Sequence, residues 1–188
     1  MERIQKRNKI LIIVIISSIL ICFIIRYFVI NNKYPNPIVQ KYEMSESVMM
    51  DKLKVTVLDY QWLDEQEIIG NYPDLDIIIP DNEIKSLFIT LSFENTGVAE
   101  LLVESYYYTL ESFGWCNGAN LELFHEINDD ESNMRFYLQA EEKCTLVLPY
   151  TIVSSHFSKN NWKDIRETQF DLTLSLYPIK KSIKLNYK

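Results

Sequence analysis

The sequence predicts a mainly β protein, an antiparallel β-sandwich behind one N-terminal transmembrane helix. A long apolar segment, residues 10–30, lies near the start of the 188-residue chain. After this segment, short stretches alternate apolar and polar residues, and turn-forming residues separate them. Hardly any helical periodicity interrupts this pattern, which is typical of strands that bury one face in a two-layer core.

The apolar segment predicts a membrane-spanning helix over residues 10–30. Its run ILIIVIISSILICFII carries no charge, and Arg26 lies near its end. At 1.5 Å per helical residue the whole segment is about 31 Å long, which matches a hydrocarbon core of about 30 Å. A cleaved signal is the alternative. However, no small-residue cleavage site follows the segment, and Cys22 follows Ile21 rather than the small residue of a lipoprotein site.

The charges on either side of this helix predict its orientation. Residues 1–9 contain four Lys and Arg and one Glu, which favours a cytoplasmic tail. Residues 31–188 contain 14 Lys and Arg against 25 Asp and Glu, a net charge of −11. Nucleic acids and anionic lipid surfaces attract positively charged proteins, so we expect neither to be a partner of this part of the chain. The expected location is the cell membrane, with the C-terminal domain extracytoplasmic.

Residues 31–44 are predicted to form a stalk that also leads into a first strand, and residues 45–188 the extracytoplasmic domain. Pro35 and Pro37 hold the stalk extended and remove backbone donors. Seven or eight strands are expected in the domain. The predicted inward-facing sets are Leu53, Val55, Val57; Leu87, Ile89, Leu91, Phe93; Met134, Phe136, Leu138; Cys144, Leu146, Leu148, Tyr150; Phe170, Leu172, Leu174, Leu176; and Ile183, Leu185, Tyr187. A further segment, LLVESYYYTL, predicts one long strand with apolar residues on both faces.

Two short helices are predicted between the strands. Asp64 and Glu67 have the spacing of a capping pair that opens the segment EQEII. In HFSKNNWKDIRE, Trp162 and Ile165 lie one turn apart. We expect this second helix to close one end of the sandwich, with Trp162 as the residue that fills it.

No catalytic residue, metal site or cofactor is predicted. His125 and His156 do not have the spacing of a helical metal pair, and the chain has no Gly-x-Ser-x-Gly segment. Cys116 with a distant histidine is better explained as packing than as a nucleophile. The carboxylates in YPDLDIIIPDNE and INDDES lack the spacing of a calcium loop, so we expect solvated loop tips.

An aromatic cluster in SYYYTLESFGW supplies the candidate binding residues. Tyrosine and tryptophan are favoured at recognition surfaces, because they bury a large area with little loss of entropy. Core and edge packing of these aromatics is the expectation for a strand covered on both faces. The alternative is that Tyr107 and Trp115, with Asn117 and Asn120 of the following loop, contact a ligand or partner. The isoleucines at 77–79 are a second candidate surface if exposed, and a strand if paired.

Cys116 and Cys144 lie outside the predicted helix. A disulfide between them would stabilise the domain by about 3–4 kcal/mol. Two independent small hydrophobic residues are the alternative, because a single pair of cysteines defines no disulfide framework.

Several segments between 33 and 186 carry a resemblance to a known group of proteins. They are KYPNP, KLKVTVLDYQWL, SLFITLSFENTG, GWCNGANLELF, EEKCTLVLPYTI and FDLTLSLYPIKKSIKLN. The chain resembles single-pass membrane proteins of Gram-positive bacteria that carry an immunoglobulin-like extracytoplasmic domain of unknown function. The resemblance implies an immunoglobulin-like antiparallel β-sandwich, and it implies no catalytic residue.

These observations predict a membrane-anchored extracytoplasmic module of the bacterial cell envelope that binds or senses and is not an enzyme. Its expected partners are the membrane, through the single helix, and a protein or another envelope component. The alternative is an accessory subunit of an exporter or of a peptide-immunity system, in which the helix itself would contact other membrane helices.

Overall fold

The computed structural model describes residues 2–73, 75, 81–128 and 132–185. The chain divides after Ile38 into two compact units, an N-terminal helical unit and a sheet-rich unit. The second predicted binding surface, the isoleucines at 77–79, lies outside the described residues. So do the carboxylates at 74, 76 and 129–131.

The N-terminal unit is the helix α1, Glu2–Lys33. Residues 12–33 of this helix are long and apolar enough to cross a bilayer, and none of this stretch is buried against protein. A helix of this kind near an N-terminus is typical both of a membrane anchor and of a signal sequence. The helix extends beyond the predicted bounds of 10 and 30 on both sides. It ends at Lys33 because Tyr34 precedes Pro35, and the residue before a proline disfavours the helical conformation.

The second unit is a mainly β sandwich, as the sequence predicts. Its strands are β1 Ile38–Glu43, β2 Ser47–Met50, β3 Leu53–Asp64, β4 Ile84–Asn95, β5 Leu101–Glu104, β6 Thr109–Ser112, β7 Trp115–Gly118, β8 Arg135–Leu138, β9 Lys143–Val153, β10 Phe170–Ser175 and β11 Ile179–Leu185. One sheet has the strand order β1-β11-β10-β6-β7, a second has the order β2-β3-β4-β9, and β5 pairs with β8. Three helices lie between strands: α2 Glu65–Asn71, α3 Leu121–Ile127 and α4 Lys159–Lys163.

The core lies between the two larger sheets, and alternation within each strand places its residues there. The predicted inward-facing sets are buried or half-buried, except for Leu176, which follows the end of β10 and is exposed, and Tyr187, which lies outside the described residues. In the centre of the core, the ring of Phe93 stacks on Tyr108 with centroids 6.2 Å apart. The Tyr150 hydroxyl donates to the Tyr108 carbonyl oxygen at 3.3 Å. Burial raises the pKa of both tyrosine hydroxyls above the ordinary value.

Strand β4 is buried on both faces, which its alternating sequence does not predict. Its outward-facing Phe88 packs with Ile68 of α2 and Leu123 of α3 in a second apolar cluster. Helix α3 is not predicted from the sequence. Its N-cap is Asn120, whose side-chain oxygen accepts from the Leu123 N–H at 3.1 Å and so satisfies a free donor of the first turn.

The two predicted helices are confirmed. Helix α2 begins where predicted, and the Glu67 carboxylate accepts from the Asp64 N–H at 2.7 Å. Trp162 of α4 is buried, with its indole N–H donating to Glu83 at 2.6 Å, and Ile165 is fully buried.

Two details differ from the sequence prediction. The segment LLVESYYYTL is not one strand, because a turn at Ser105–Tyr107 separates β5 from β6 and the two strands join different sheets. The N–H and the hydroxyl of Ser105 both donate to the Met134 carbonyl oxygen and hold this turn. Strand β1 lies inside the segment 31–44, so that segment includes the first strand of the sandwich, which begins before residue 45.

The turn after β4 is organised by one buried side chain. The Asn95 amide nitrogen lies 2.7 Å from the Ala99 carbonyl oxygen, 3.1 Å from that of Leu138 and 3.0 Å from that of Gln139. The Asn95 side-chain oxygen accepts from the Gly97 N–H at 2.9 Å. The turn at Asn95, Thr96 and Gly97 is therefore joined through Asn95 to the connection between β8 and β9.

Candidate functional site

Two of the sequence-predicted binding residues, Asn117 and Asn120, bond to strand β9. The Asn117 amide donates to the Thr151 carbonyl oxygen at 3.0 Å, and the Asn120 amide donates to the Thr151 hydroxyl at 3.0 Å. The Asn120 backbone N–H also donates to the Pro149 carbonyl oxygen at 2.7 Å. These hydrogen bonds give both asparagines a structural role at the junction of β7, α3 and β9.

A third asparagine completes this arrangement along the outer edge of β9. The side chain of Asn128 accepts from the Val147 N–H at 2.9 Å and donates to the Val147 carbonyl oxygen at 3.0 Å. Within the described sheets, β9 is an edge strand. Pro149 has no N–H at this edge, where a free donor would lack a strand partner. Side chains therefore occupy the places that a further strand would take.

Trp115 is half-buried rather than displayed on a surface. Its ring packs against Phe157 and Phe170, with centroids 5.5 Å and 5.9 Å away. Its indole N–H donates to Nδ1 of His156 at 3.2 Å. Tyr107, by contrast, is 64% exposed and packs on Tyr106 with ring centroids 4.2 Å apart. The four predicted binding residues therefore have different environments: Tyr107 and Asn117 are exposed, whereas Trp115 and Asn120 are half-buried.

The structure does not join Cys116 and Cys144, and both are free thiols. The residue after Cys116 bonds to Thr151, which is seven residues along β9 from Cys144. At about 3.3 Å per strand residue, that separation is about 23 Å, whereas a disulfide requires Cα atoms within about 7 Å. Burial, followed by the charge of Glu142, raises the pKa of the Cys144 thiol to about 11.

A charged groove lies on the outer face of the five-stranded sheet and was not predicted from the sequence. It has a volume of about 320 Å³, at the lower end of the range of small-molecule pockets. Its lining comes from four strands and the connections beside them. The lining residues are Val39, Lys41, Glu111, Ser112, Phe113, Gln169, Asp171, Lys180 and Ser182. We call this feature the outer-sheet groove.

Two ion pairs cross the outer-sheet groove. Asp171 of β10 and Glu111 of β6 are directly opposite each other, an arrangement that is unfavourable for two like charges alone. Lys41 of β1 lies 2.7 Å from the Asp171 carboxylate, and Lys180 of β11 bonds to the Glu111 carboxylate. The two lysines therefore balance the two carboxylates within the groove.

The sheet face that carries the groove also has hydrogen-bonding capacity that the chain does not use, on two lining residues, Asp171 and Ser182, and on Thr173 beside them. Among the described residues, Asp171 Oδ1, Thr173 Oγ1 and Ser182 Oγ are buried and have no hydrogen-bond partner. Thr173 and Ser182 are directly opposite each other on β10 and β11, and each is 1% exposed. A buried polar group without a partner costs about 1–3 kcal/mol, and three such groups lie close together on the outer side of β10 and β11.

The rim of the groove is an exposed aromatic ring. Ser112 and Trp115 pair across a two-residue turn of Phe113 and Gly114, and Gly114 adopts φ +68°, which glycine accepts without strain. This turn leaves Phe113 93% exposed. Ser112 and Phe113 also line a second groove of about 230 Å³, formed with Phe157, Asn161, Asp164 and Thr168. Phe113 therefore stands between two grooves.

The described residues provide no assembled catalytic or metal centre. In that part of the chain, no three His, Cys, Asp or Glu side chains are placed to hold one metal ion. His156 accepts a hydrogen bond from the indole N–H of Trp115, and the ring of His125 packs against Phe124. The chemistry that the outer-sheet groove offers is that of binding, through paired charges, hydroxyl groups and an aromatic rim.

Comparison with known proteins identifies the family. Residues 37–181 match the model of a domain of unknown function, DUF5028. The chain belongs to the DUF5028 family. The matched region begins before β1 and ends in β11, so the DUF5028 domain includes both larger sheets and nearly all of the outer-sheet groove. The family description indicates no catalytic activity.

Three solved structures are similar to this DUF5028 protein. The YjhA protein of Bacillus subtilis is 15% identical, with 77% of this chain and 99% of that chain covered and a TM-score of 0.47. An uncharacterized β-sandwich protein of Clostridium difficile 630 is 12% identical, with 78% and 95% covered and a TM-score of 0.44. A conserved hypothetical protein of Bacillus anthracis is 11% identical, with 76% and 95% covered and a TM-score of 0.47. No curated protein matches the chain.

Proposed function

We propose that this DUF5028 protein is a non-catalytic binding module, anchored in the cell membrane by α1, whose sandwich lies outside the cytoplasm. It binds a component of the cell envelope or a partner protein through the outer-sheet groove. The observation that carries the proposal is a set of three buried, unpartnered oxygens beside two ion pairs; two of these oxygens belong to residues that line the groove, Asp171 and Ser182, and the third belongs to Thr173 next to Ser182. A surface with only a structural role would gain by replacing such oxygens with apolar groups.

The charge distribution supports the proposed orientation. The residues before the apolar segment are mostly basic, and residues 31–188 carry a net charge of −11. Basic segments remain on the cytoplasmic side of a single-spanning helix, so the sandwich is expected on the other side. Helix α1 continues to Lys33, and the first strand of the sandwich begins at Ile38, so the connection between them is short in sequence.

A labelling experiment tests the orientation. Cys116 is an exposed thiol, whereas Cys144 is partly covered with its pKa raised to about 11. A membrane-impermeant maleimide added to intact cells should therefore modify the protein at Cys116, and Cys116→Ser should remove most of the labelling. Asn8→Cys in the Cys116→Ser background is the matched control and should react only after lysis. Labelling of Cys116 that also requires lysis would show that the orientation is reversed.

A cross-linking experiment tests the groove. A photo-reactive phenylalanine at Phe113 should give adducts in intact cells, because this side chain is 93% exposed at the rim. Val98 is 91% exposed on the connection between β4 and β5, and it is the matched control that should give none. The accessory-subunit alternative instead predicts adducts from the lipid-facing helix, for example at Phe23. Equal cross-linking at 113 and 98 would contradict the proposed use of the groove.

A further inference from the structure

We propose that the ligand of the outer-sheet groove is a neutral, hydroxyl-rich molecule, a carbohydrate, which places one face of a sugar ring on Phe113. This inference rests on the proposed function, because it assigns a ligand class to the same groove. Three features of the groove lead to it: its balanced charge, its unused hydrogen-bonding groups and its single exposed aromatic rim.

The balanced charge argues against an ionic ligand. The groove contains two lysines and two carboxylates, and each lysine is paired with one carboxylate. An anion would have to replace Asp171 or Glu111 at a lysine, and a cation would have to replace Lys41 or Lys180 at a carboxylate. Either exchange leaves a former partner without its counter-charge. A neutral ligand leaves both pairs formed.

The unused oxygens require a ligand that both donates and accepts. The Thr173 and Ser182 hydroxyls can each donate one hydrogen bond and accept others, whereas Asp171 Oδ1 can only accept. A phosphate group accepts only and would oppose the Asp171 carboxylate. An ammonium group donates only and would leave the capacity of the hydroxyls to donate unused. Neighbouring sugar hydroxyls both donate and accept at short spacing, and they match the whole set.

Lys41 is the most exposed of the four charged side chains that line the groove. Its side chain is 63% exposed, whereas those of Asp171, Glu111 and Lys180 are 19%, 23% and 27% exposed. An ion pair with one such exposed partner contributes at most about 1 kcal/mol, so the Lys41 side chain can shift at little cost while its ammonium group stays at Asp171 Oδ2, the oxygen that it bonds. The Lys180–Glu111 pair is more enclosed and stays in place. The ligand therefore enters from the side of β1.

Phe113 supplies the apolar part of the recognition. Its ring is held out by the Gly114 turn, and Ser112 fixes the base of that turn by donating from its hydroxyl to the Gln169 carbonyl oxygen at 3.1 Å. The face of an aromatic ring carries partial negative charge, which attracts the C–H groups on the face of a sugar. Val39 adds a second exposed apolar side chain to the lining.

The test uses the full chain in lipid nanodiscs and measures binding by saturation-transfer NMR and calorimetry. The probes are three neutral oligosaccharides: chitotetraose, maltotetraose and mannotetraose. A glycerol phosphate oligomer and a neutral tetrapeptide are tested in the same way, and each represents another class of ligand. We expect at least one oligosaccharide to bind, with saturation strongest on one ring face. Its dissociation constant should change less than about twofold between roughly 50 mM and 500 mM NaCl, because the ligand is uncharged.

Two variants separate a binding role from a structural one. Phe113→Ala should weaken oligosaccharide binding about tenfold, and the equally exposed Val98→Ala should leave binding unchanged. Ser182→Ala should weaken binding by about fivefold or more while the melting temperature stays the same or rises, because its hydroxyl has no partner in the protein. A purely structural serine would lose stability instead, and that result would overturn the inference.

The remaining outcomes distinguish failure of this inference from failure of the proposed function. If all three oligosaccharides fail to bind while the glycerol phosphate oligomer or the tetrapeptide binds and Phe113→Ala weakens it, the groove is a binding site for another ligand class. If no probe binds and the photo-reactive residue at 113 gives no adduct in cells, the groove is not a binding site and both proposals are wrong.

Discussion

Replacing Asn95 with aspartate should destabilise the sandwich strongly, although the two side chains have nearly the same shape. The amide nitrogen of Asn95 faces three carbonyl oxygens at 2.7–3.1 Å. In Asn95→Asp a carboxylate oxygen would take the place of this nitrogen, which removes about two hydrogen bonds worth about 1 kcal/mol each. An ionised carboxylate would also be buried against these oxygens, at a further cost of several kcal/mol. We expect a loss of about 4 kcal/mol in the free energy of unfolding at pH 7.

The stability lost in Asn95→Asp should depend on pH. The three carbonyl oxygens disfavour the charged carboxylate, so the pKa of the introduced aspartate is raised in the folded chain above its unfolded value of about 3.9. As the pH rises above that value, the unfolded chain releases the proton before the folded chain does. The variant therefore loses stability relative to the wild type between about pH 4 and pH 7, and the difference is smallest at the acidic end of that range.

Urea unfolding of the full chain in mild detergent, followed by tryptophan fluorescence, measures this difference. The signal reports the sandwich, because Trp62, Trp115 and Trp162 are the three tryptophans of the chain. Asn133→Asp is the matched control. Asn133 is exposed, and its side-chain oxygen accepts from the Arg135 N–H at 3.0 Å, a bond that aspartate retains. The control should change stability by less than about 0.5 kcal/mol. A loss below about 1 kcal/mol for Asn95→Asp at neutral pH, or a loss independent of pH, would refute the reasoning.

Three further predictions concern groups in the sandwich. With its pKa raised to about 11, the Cys144 thiol should react with iodoacetamide at a rate that rises about tenfold per pH unit from about pH 8, because only the thiolate reacts. Peptide mass spectrometry measures this rate, and a rate independent of pH would contradict the raised pKa. Because burial raises the pKa of Tyr150, the wild type should lose about 1.4 kcal/mol of stability per pH unit above about pH 10 on account of this tyrosine. In urea unfolding, the stability of Tyr150→Phe should fall less steeply with pH than that of the wild type. Equal slopes would argue against a buried neutral hydroxyl. Trp162→Phe removes the hydrogen bond to Glu83 and should lower the free energy of unfolding by about 2 kcal/mol, measured by urea; unchanged stability would mean that this bond contributes nothing.

The elements that could be predicted from the sequence are those with a local signal. Alternation identifies the inward faces of β3, β4, β9 and β10, because a strand places successive side chains on opposite faces. The spacing of Asp64 and Glu67 identifies the start of α2, since a capping pair involves residues three apart. The apolar segment identifies most of α1. In each case, the residues that determine the element are neighbours in the chain.

Elements that depend on distant partners could not be predicted. Helix α3 is short, and its buried face packs on Phe88 of β4 rather than following a long apolar stripe. The break between β5 and β6 depends on the bonds from Ser105 to Met134, 29 residues away. Apolar and aromatic residues lie on both sides of that turn, so the local sequence pattern predicts one continuous strand.

The outer-sheet groove was missed for the same reason. Its charged residues come from β1, β6, β10 and β11, and the Lys41–Asp171 pair spans 130 positions. Alternation in FDLTLS does place Asp171 and Thr173 on the outward face, but such positions are usually solvated. The aromatic cluster gave a partial signal: Phe113 belongs to it, whereas Trp115 and the two asparagines that were selected pack or bond within the sandwich.

The asparagine side chains along β9 affect whether copies of this protein can aggregate through that strand. An open strand edge is a template on which another molecule can add its own strand, and rows of such additions grow into aggregates. Here the amides and Pro149 already fill or remove the groups that a neighbour would use. Replacing these asparagines with leucine would leave backbone groups of β9 unpaired, and a strand of another molecule could then bond to them. The native arrangement allows dense packing of separate molecules without fibre growth from this side.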